Sequence, residues 1–204
     1  MQIFFKQNLA ILAVPKTGST AYELALRSHA DIIFAKRRKH MTAGQFHNKT
    51  ADFLNRLYGT KPEVVAVMRD PLSQIGSWFR YRSRHRDRPS STHGLTFEEF
   101  VQALLQPDPP EFAKIGSQYH FLTLRDGSLP VHHLFAYENQ PQFRAFLENR
   151  FGESLEFKSK NVSPSGETDL SPETLARLRE ARAKEFALYE RLTAAGGYLH
   201  QECL

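Results

Sequence analysis

Residues 9–20 read LAILAVPKTGST, and the fold turns on them. Leu9 to Val14 is an unbroken apolar run with branched Ile11 and Val14 and no helical period. Such a run predicts a strand buried on both faces, as in a parallel sheet. Pro15 ends the ladder, and Gly18 lets the backbone turn closely around a ligand. Ser19 and Thr20 bring hydroxyls and N–H groups to the start of a helix expected over residues 21–28. Free N–H groups at a helix start attract anions, and Lys16 adds a full positive charge. The stretch reads as a cradle for phosphate or sulfate; alone, it is also compatible with an ordinary strand-to-helix turn. It is not a Walker A loop, GxxxxGK[ST], because Lys16 precedes the only glycine instead of following it.

The surrounding chain predicts a single domain over residues 1–204, long enough for a substantial core. Hydrophobic residues make up 41% and aromatics 12%, which argues against disorder. No apolar run approaches the roughly 18 residues of a membrane span. The first strand begins close to Met1, leaving no room for a signal peptide, and the one cysteine, Cys203, allows no internal disulfide. Both features predict a cytoplasmic protein. The net charge of +5 favours anionic ligands.

Residues 1–5 supply a lead-in or an edge strand. Residues 31–35 (DIIFA) form a second apolar run, followed by Lys36, Arg37, Arg38, Lys39 and His40. Residues 42–57 predict a helix with Phe46, Phe53, Leu54 and Leu57 on one side, stopped by Gly59. Residues 63–68 (EVVAVM) are the clearest strand. They end in Arg69-Asp70-Pro71 and an amphipathic helix carrying Leu72, Ile75, Trp78 and Phe79. A basic run, residues 80–88, and a loop, residues 89–94, precede a helix capped by Thr96 with Glu98 and Glu99 in its first turn. Residues 131–137 predict another strand, and residues 142–151 a helix ended by Gly152. After a polar stretch at 158–168, Ser171 and Pro172 open a last helix. Leu175, Leu178, Ala181, Phe186, Tyr189 and Leu192 fall on one face of it, and Gly196-Gly197 ends it. Strand–helix alternation predicts βαβ units and an α/β fold with a central, mainly parallel sheet.

In such a sheet, ligands bind at the carboxyl ends of the strands. PKTGST leaves the first long strand, KRRKH the second apolar run and RDP the third, so three basic loops are expected to open on one edge. Arg69 suits a phosphate because its planar fork binds two oxygens at once. Arg69-Asp70-Pro71 is also a common helix start, with a capping Asp and proline at the first position. His132 and His133 alternate across a strand and cannot chelate from one face; they read as structural.

On these residues the sequence resembles the sulfotransferases that use 3′-phosphoadenosine 5′-phosphosulfate (PAPS), in particular their bacterial and carbohydrate-type branch. Residues 15–20 look like the 5′-phosphosulfate loop, and Arg69-Asp70-Pro71 with Ser77 like the 3′-phosphate motif, including the aromatic pair Trp78-Phe79. The likeness continues in TFEEF (96–100), FAYEN (135–139), Asn161-Val162-Ser163 and the helix carrying Phe186, Leu188 and Tyr189. It implies a P-loop-like three-layer α/β fold and an O-sulfotransferase. Such an enzyme moves a sulfuryl group from PAPS to an acceptor hydroxyl, releases PAP and needs no metal.

By this resemblance Lys16, Thr17, Gly18, Ser19 and Thr20 hold the 5′ end, with Lys16 neutralising the leaving-group charge. Arg69 and Ser77 hold the 3′-phosphate. Spacing alone does not bring Ser77 there, since it lies about 9 Å along a helix begun at Pro71. His40 occupies the position of the base, and an imidazole suits that task, although one of nine histidines beside a basic cluster is also an ordinary surface residue. The implied acceptor is a carbohydrate hydroxyl. Residues 36–39 and 80–88 would attract an anionic one or form solvated faces, and Lys158, Lys160 and Ser163 lie in a loop that would close over the nucleotide. Other readings of the same residues are a PAP-binding protein without chemistry, a basic module that binds nucleic acid, and a small nucleotide kinase. The missing Walker A lysine disfavours the kinase, and the buried strands have no role in the nucleic-acid module.

Overall fold

The computed structural model describes residues 1–157 and 169–202. In chain order the elements are β1 (Gln2–Phe4), β2 (Leu9–Ile11), α1 (Ser19–Ala25), β3 (Ile32–Ile33), α2 (Ala43–Gln45), α3 (Ala51–Tyr58), β4 (Glu63–Met68) and α4 (Pro71–Ser83). There follow α5 (Phe97–Leu104), α6 (Gln118–Leu122), β5 (His133–Ala136), α7 (Gln140–Phe151), α8 (Pro172–Ala181), α9 (Ala183–Ala194) and β6 (Tyr198–His200). The six strands form one sheet in the order β3-β1-β2-β4-β5-β6. β4 pairs parallel with β2 and β5, whereas β1 runs antiparallel to both its neighbours and β6 antiparallel to β5. Four strands, β2 to β5, therefore point the same way and end on the same edge.

β4 shows why the sheet sits in the middle. Its side chains alternate between faces. Val64, Ala66 and Met68 pack with Leu54, Phe121, Leu122, Leu188 and Leu192 on one side. Val65 and Val67 pack with Tyr22, Leu26, Phe143 and Leu147 on the other. Helices α3, α6 and α9 thus cover one face and α1 and α7 the opposite one. A fully buried Leu or Phe contributes about 1.5–3 kcal/mol of transfer free energy, so this double burial is the main force holding β4 central. The apolar run predicted from Leu9 continues past β2, and the Leu12 amide still bonds the Val65 carbonyl at 2.8 Å. A third cluster joins Ile75 of α4 to Phe97, Phe100, Val101, Leu178 and Phe186, which anchors α4 beside the sheet edge.

Several expectations need correction. Residues 1–5 are neither a lead-in nor an edge: β1 is inserted between β2 and β3, and its residues are fully buried. Helix 42–57 does not keep one apolar side. A π turn at Phe46–Thr50 holds an extra residue and rotates the following face. Phe46 and Leu54 are buried, but Phe53 and Leu57 are 49% and 60% exposed. The last helix breaks at Arg182, whose φ of −114° and ψ of 24° leave the helical region, so Ala181 is exposed. Gly197 is followed by β6, and α6 also had no sequence signal. Among the described residues no helix is long and apolar enough to cross a membrane.

Candidate functional site

The chain leaves β2 through a tight loop whose frame is made by Thr17 and Gly18. The Thr17 hydroxyl donates to the Val14 carbonyl at 2.9 Å, and the residue is buried, so its side chain braces the loop from within. Gly18 has φ +72°, and a Cβ there would stand 3.2 Å from Cε2 of Tyr137. Both the backbone and the space require glycine. Lys16 adopts φ +69°, a left-handed conformation that a side chain disfavours. Ser19 opens α1, and no side chain caps its start.

Arg69 leaves β4 beside this loop. Asp70 caps α4 by accepting the Ser73 amide at 2.7 Å, and Pro71 takes the first position, as a plain helix start requires. The same geometry also presents the arginine. Its Nε donates to Ser73 Oγ at 2.9 Å and Nη1 to the Lys16 carbonyl at 3.3 Å, while its guanidinium lies 4.5 Å from the Tyr137 ring centre. Gln118 fixes the backbone of Arg69 through bonds of 2.9 and 2.8 Å. Gln74 of α4 donates to the Pro15 carbonyl at 3.3 Å, a second tie between the two loops. The serine bonded to Arg69 is Ser73; Ser77 lies one turn farther along α4, buried.

The third loop begins as a turn at Lys36–Arg38 and ends at His40. Lys39 is absorbed by the framework: its Nζ meets Glu23 at 2.7 Å and donates to the Thr20 hydroxyl at 3.3 Å. His40 Nδ1 stands 2.7 Å from the Ala13 carbonyl. A carbonyl only accepts, so Nδ1 carries the proton and the neutral ring keeps its lone pair on Nε2. Partial burial of the ring pushes its pKa below the usual 6.5; the Ala13 carbonyl opposes this and Lys39 reinforces it. The three strand exits are thus tied together, with His40 against the end of the β2 run, Lys39 against α1 and Arg69 against Lys16.

Around Lys16 the neighbouring charges are positive. The Lys16 ammonium sits 4.1 Å from the Tyr81 ring centre and 5.5 Å from that of Trp78. Burial, then Arg69, Arg84 and Arg80, lower its pKa to about 8. Among the described residues no carboxylate comes within ion-pair distance of Lys16, Arg69, Arg80 or Arg84. Two acids at the start of α4 have partners of their own: Asp70 caps the helix, and Glu138 accepts the Asp70 amide at 3.1 Å and the Tyr189 hydroxyl at 2.7 Å. An anion entering here meets positive charge that no carboxylate among the described residues pairs at ion-pair distance.

Other sequence candidates fall elsewhere. Arg82, inside the basic run, turns away and donates to the carbonyls of Glu111, Phe112 and Lys114 at 3.0, 2.6 and 2.7 Å. His132 accepts the Val64 amide at 2.9 Å and His133 lies between Tyr198 and Glu63, both far along the strands from the loops. Lys158, Lys160, Asn161, Val162, Ser163 and Cys203 lie outside the described residues. Sequence reasoning did not single out Tyr137, Tyr81 or Gln118. Tyr137 had one signal, an aromatic residue at the exit of β5 on the shared edge. The chain matches no protein-family model and no curated protein.

Proposed function

We propose that the chain is a PAPS-dependent O-sulfotransferase of P-loop-like fold, acting in the cytoplasm on a hydroxyl acceptor, with carbohydrate as the expected class. The observation that carries the reading is the junction of Lys16 and Arg69: two strand exits, joined through the Lys16 carbonyl, that present cations without a counter-carboxylate among the described residues. PAPS supplies an activated sulfuryl group. The loop after β2 and Arg69 bind its two anionic ends, the Arg69 fork matching a phosphate. His40, with Nε2 free, takes the acceptor proton as the acceptor oxygen bonds to sulfur. Lys16 neutralises the charge that grows on the departing phosphate oxygen as the S–O bond breaks. Cations fixed where charge develops are the largest catalytic contribution of this kind. His40 and Lys16 together serve a bond-making and a bond-breaking partner with no further acid required.

The test is transfer from isotope-labelled PAPS to a panel of glycans and small alcohols, read by mass spectrometry. Labelled sulfate esters together with PAP are expected. Magnesium-dependent ATP turnover in their place, or equal affinity for PAP and AMP, would overturn the reading.

A further inference from the structure

Glu185, on α9, carries a carboxylate that the proposed chemistry does not use, and it is only 3% exposed. Burying a charge is costly unless donors surround it. Four donors do so here. Ser117 Oγ donates to Glu185 at 2.7 Å, Arg182 Nη1 at 3.1 Å, and Gln118 twice, from its amide at 3.0 Å and from Nε2 at 3.3 Å. Gln118 is buried as well and extends the network to the β4 exit. Its Oε1 accepts the Arg69 amide and its Nε2 donates to the Arg69 carbonyl. An ionised carboxylate only accepts, so Nε2 must face Glu185 and Oε1 must face the Arg69 N–H. Glu185 thus fixes which way round the Gln118 amide sits.

One turn farther along α9, on the same face, the Tyr189 hydroxyl donates to Glu138, which accepts the Asp70 amide. Two residues of one helix therefore reach two consecutive residues of the β4 exit, each through one intermediary. The backbone of Arg69 and Asp70 is held at three points. The guanidinium beyond it rests on Ser73 and the Lys16 carbonyl, and its Nη2 has no hydrogen-bond partner among the described residues. A cation held in this way is ordered before a ligand arrives, so binding loses less to ordering it.

We infer that Glu185 and Tyr189 are positioning residues for Arg69, a clamp through which α9 sets the strength of anion binding at the β4 exit. That the anion is the 3′-phosphate of PAP rests on the sulfotransferase reading; the clamp on Arg69 does not. The experiment is calorimetry with PAP, AMP and inorganic pyrophosphate on wild type, Glu185→Gln, Glu185→Asp, Tyr189→Phe, Arg69→Ala and Arg69→Ala/Glu185→Gln. Glutamine keeps the shape of glutamate but turns an NH₂ group toward donors. Glu185→Gln is expected to weaken PAP and pyrophosphate about tenfold while AMP stays within about twofold. Tyr189→Phe should weaken the same two ligands about threefold, and Glu185→Asp, which keeps the charge, should retain most of the affinity. In the Arg69→Ala background, Glu185→Gln should cost nothing further. Unchanged PAP and pyrophosphate affinity in folded Glu185→Gln, equal losses for PAP and AMP, or a loss that persists without Arg69 overturns the clamp. Should Glu185→Gln not fold, Tyr189→Phe, at the less buried end, decides by the same comparison, alone and with Arg69→Ala. If wild type binds PAP and AMP alike, the donor reading falls and the pyrophosphate titrations still decide: pyrophosphate binding that does not depend on Arg69 overturns the clamp.

Discussion

At one end of β4 the Glu63 carboxylate is matched by Arg150 and by His133, 3.1 Å away; at the other, Arg69 points toward Lys16 and meets no carboxylate at ion-pair distance among the described residues. At the Glu63 end the carboxylate and His133 hold each other in place. His133 bonds the Tyr198 hydroxyl at 2.8 Å, stacks 4.8 Å from His200, and has its neighbour His132 fastened to the Val64 amide. These groups join β4, β5 and β6. The Arg69 end is under-compensated by the same measure, although its backbone is equally well held by Gln118. Charges that stabilise a fold are paired within it. Charges left over after the backbone is secured are available to a ligand.

The sharpest way to break this contrast is to remove Lys16. Lys16→Ala should lower kcat by about 10²–10³ or more, with PAP affinity changed only a few-fold, because the leaving-group charge exists mainly in the transition state. Turnover within a few-fold of wild type would make the unpaired lysine an accident of packing. Its pKa of about 8 adds a second reading: a lysine that must be charged loses function as pH rises, so wild-type kcat should decline above about pH 8.

His40→Ala should cost about 10²-fold at neutral pH. A base must be unprotonated, so kcat/KM should fall as pH drops through a value below 6.5, and this acidic limb should vanish in the variant. His40→Asn should be nearly as inactive. Retention of both rate and limb would place the base elsewhere.

Arg69→Ala tests the unpaired end without chemistry. Losing charge-assisted hydrogen bonds to a phosphate costs about 2–3 kcal/mol, and the preference for PAP over AMP should disappear with it. An unchanged preference, measured by calorimetry, would separate Arg69 from the 3′-phosphate.

The paired end should answer to acid instead. Burial and His200 hold His133 down to about 4, and the opposing Glu63 charge is already matched by Arg150. A histidine whose folded pKa lies below its unfolded value contributes stability above the unfolded pKa, and that stability is lost as pH falls. Between pH 6.5 and 4 the protein should lose roughly 2 kcal/mol from this source, seen as a falling urea midpoint. His133→Leu should flatten the fall; an equally steep decline in the variant would absolve the cluster.

What could be read from sequence follows from how local the cause is. β4 was legible to the residue because a strand buried on both faces leaves a continuous apolar run. The Thr96 capping box, the Asp70 cap and the left-handed Gly152 stop act within a few residues and were equally plain. β1 was misplaced because three buried residues look alike at an edge or inside a sheet. β6 was invisible because its ladder with β5 depends on partners more than sixty residues away. At the site, the meeting of Arg69 with the Lys16 loop could be foreseen, since strand direction alone brings these loops, and the one that ends in His40, to one edge. Tyr137, Tyr81 and Gln118 could not, because they act on Gly18, Lys16 and Arg69 only through tertiary contact. Nor could the split within the basic run, where helix phase turns Arg82 toward backbone carbonyls and leaves Arg80 and Arg84 free of carboxylates.

The left-handed φ of +69° at Lys16 has a consequence for engineering. Holding a side-chain-bearing residue there costs about 1 kcal/mol, and its half-buried ammonium adds to the burden. Lys16→Gly relieves both, so this variant should melt a few degrees above wild type while transferring no sulfate. Selection for thermostability alone would then erode the position first, and a heat-hardened descendant of this chain would have to be screened for activity at every round.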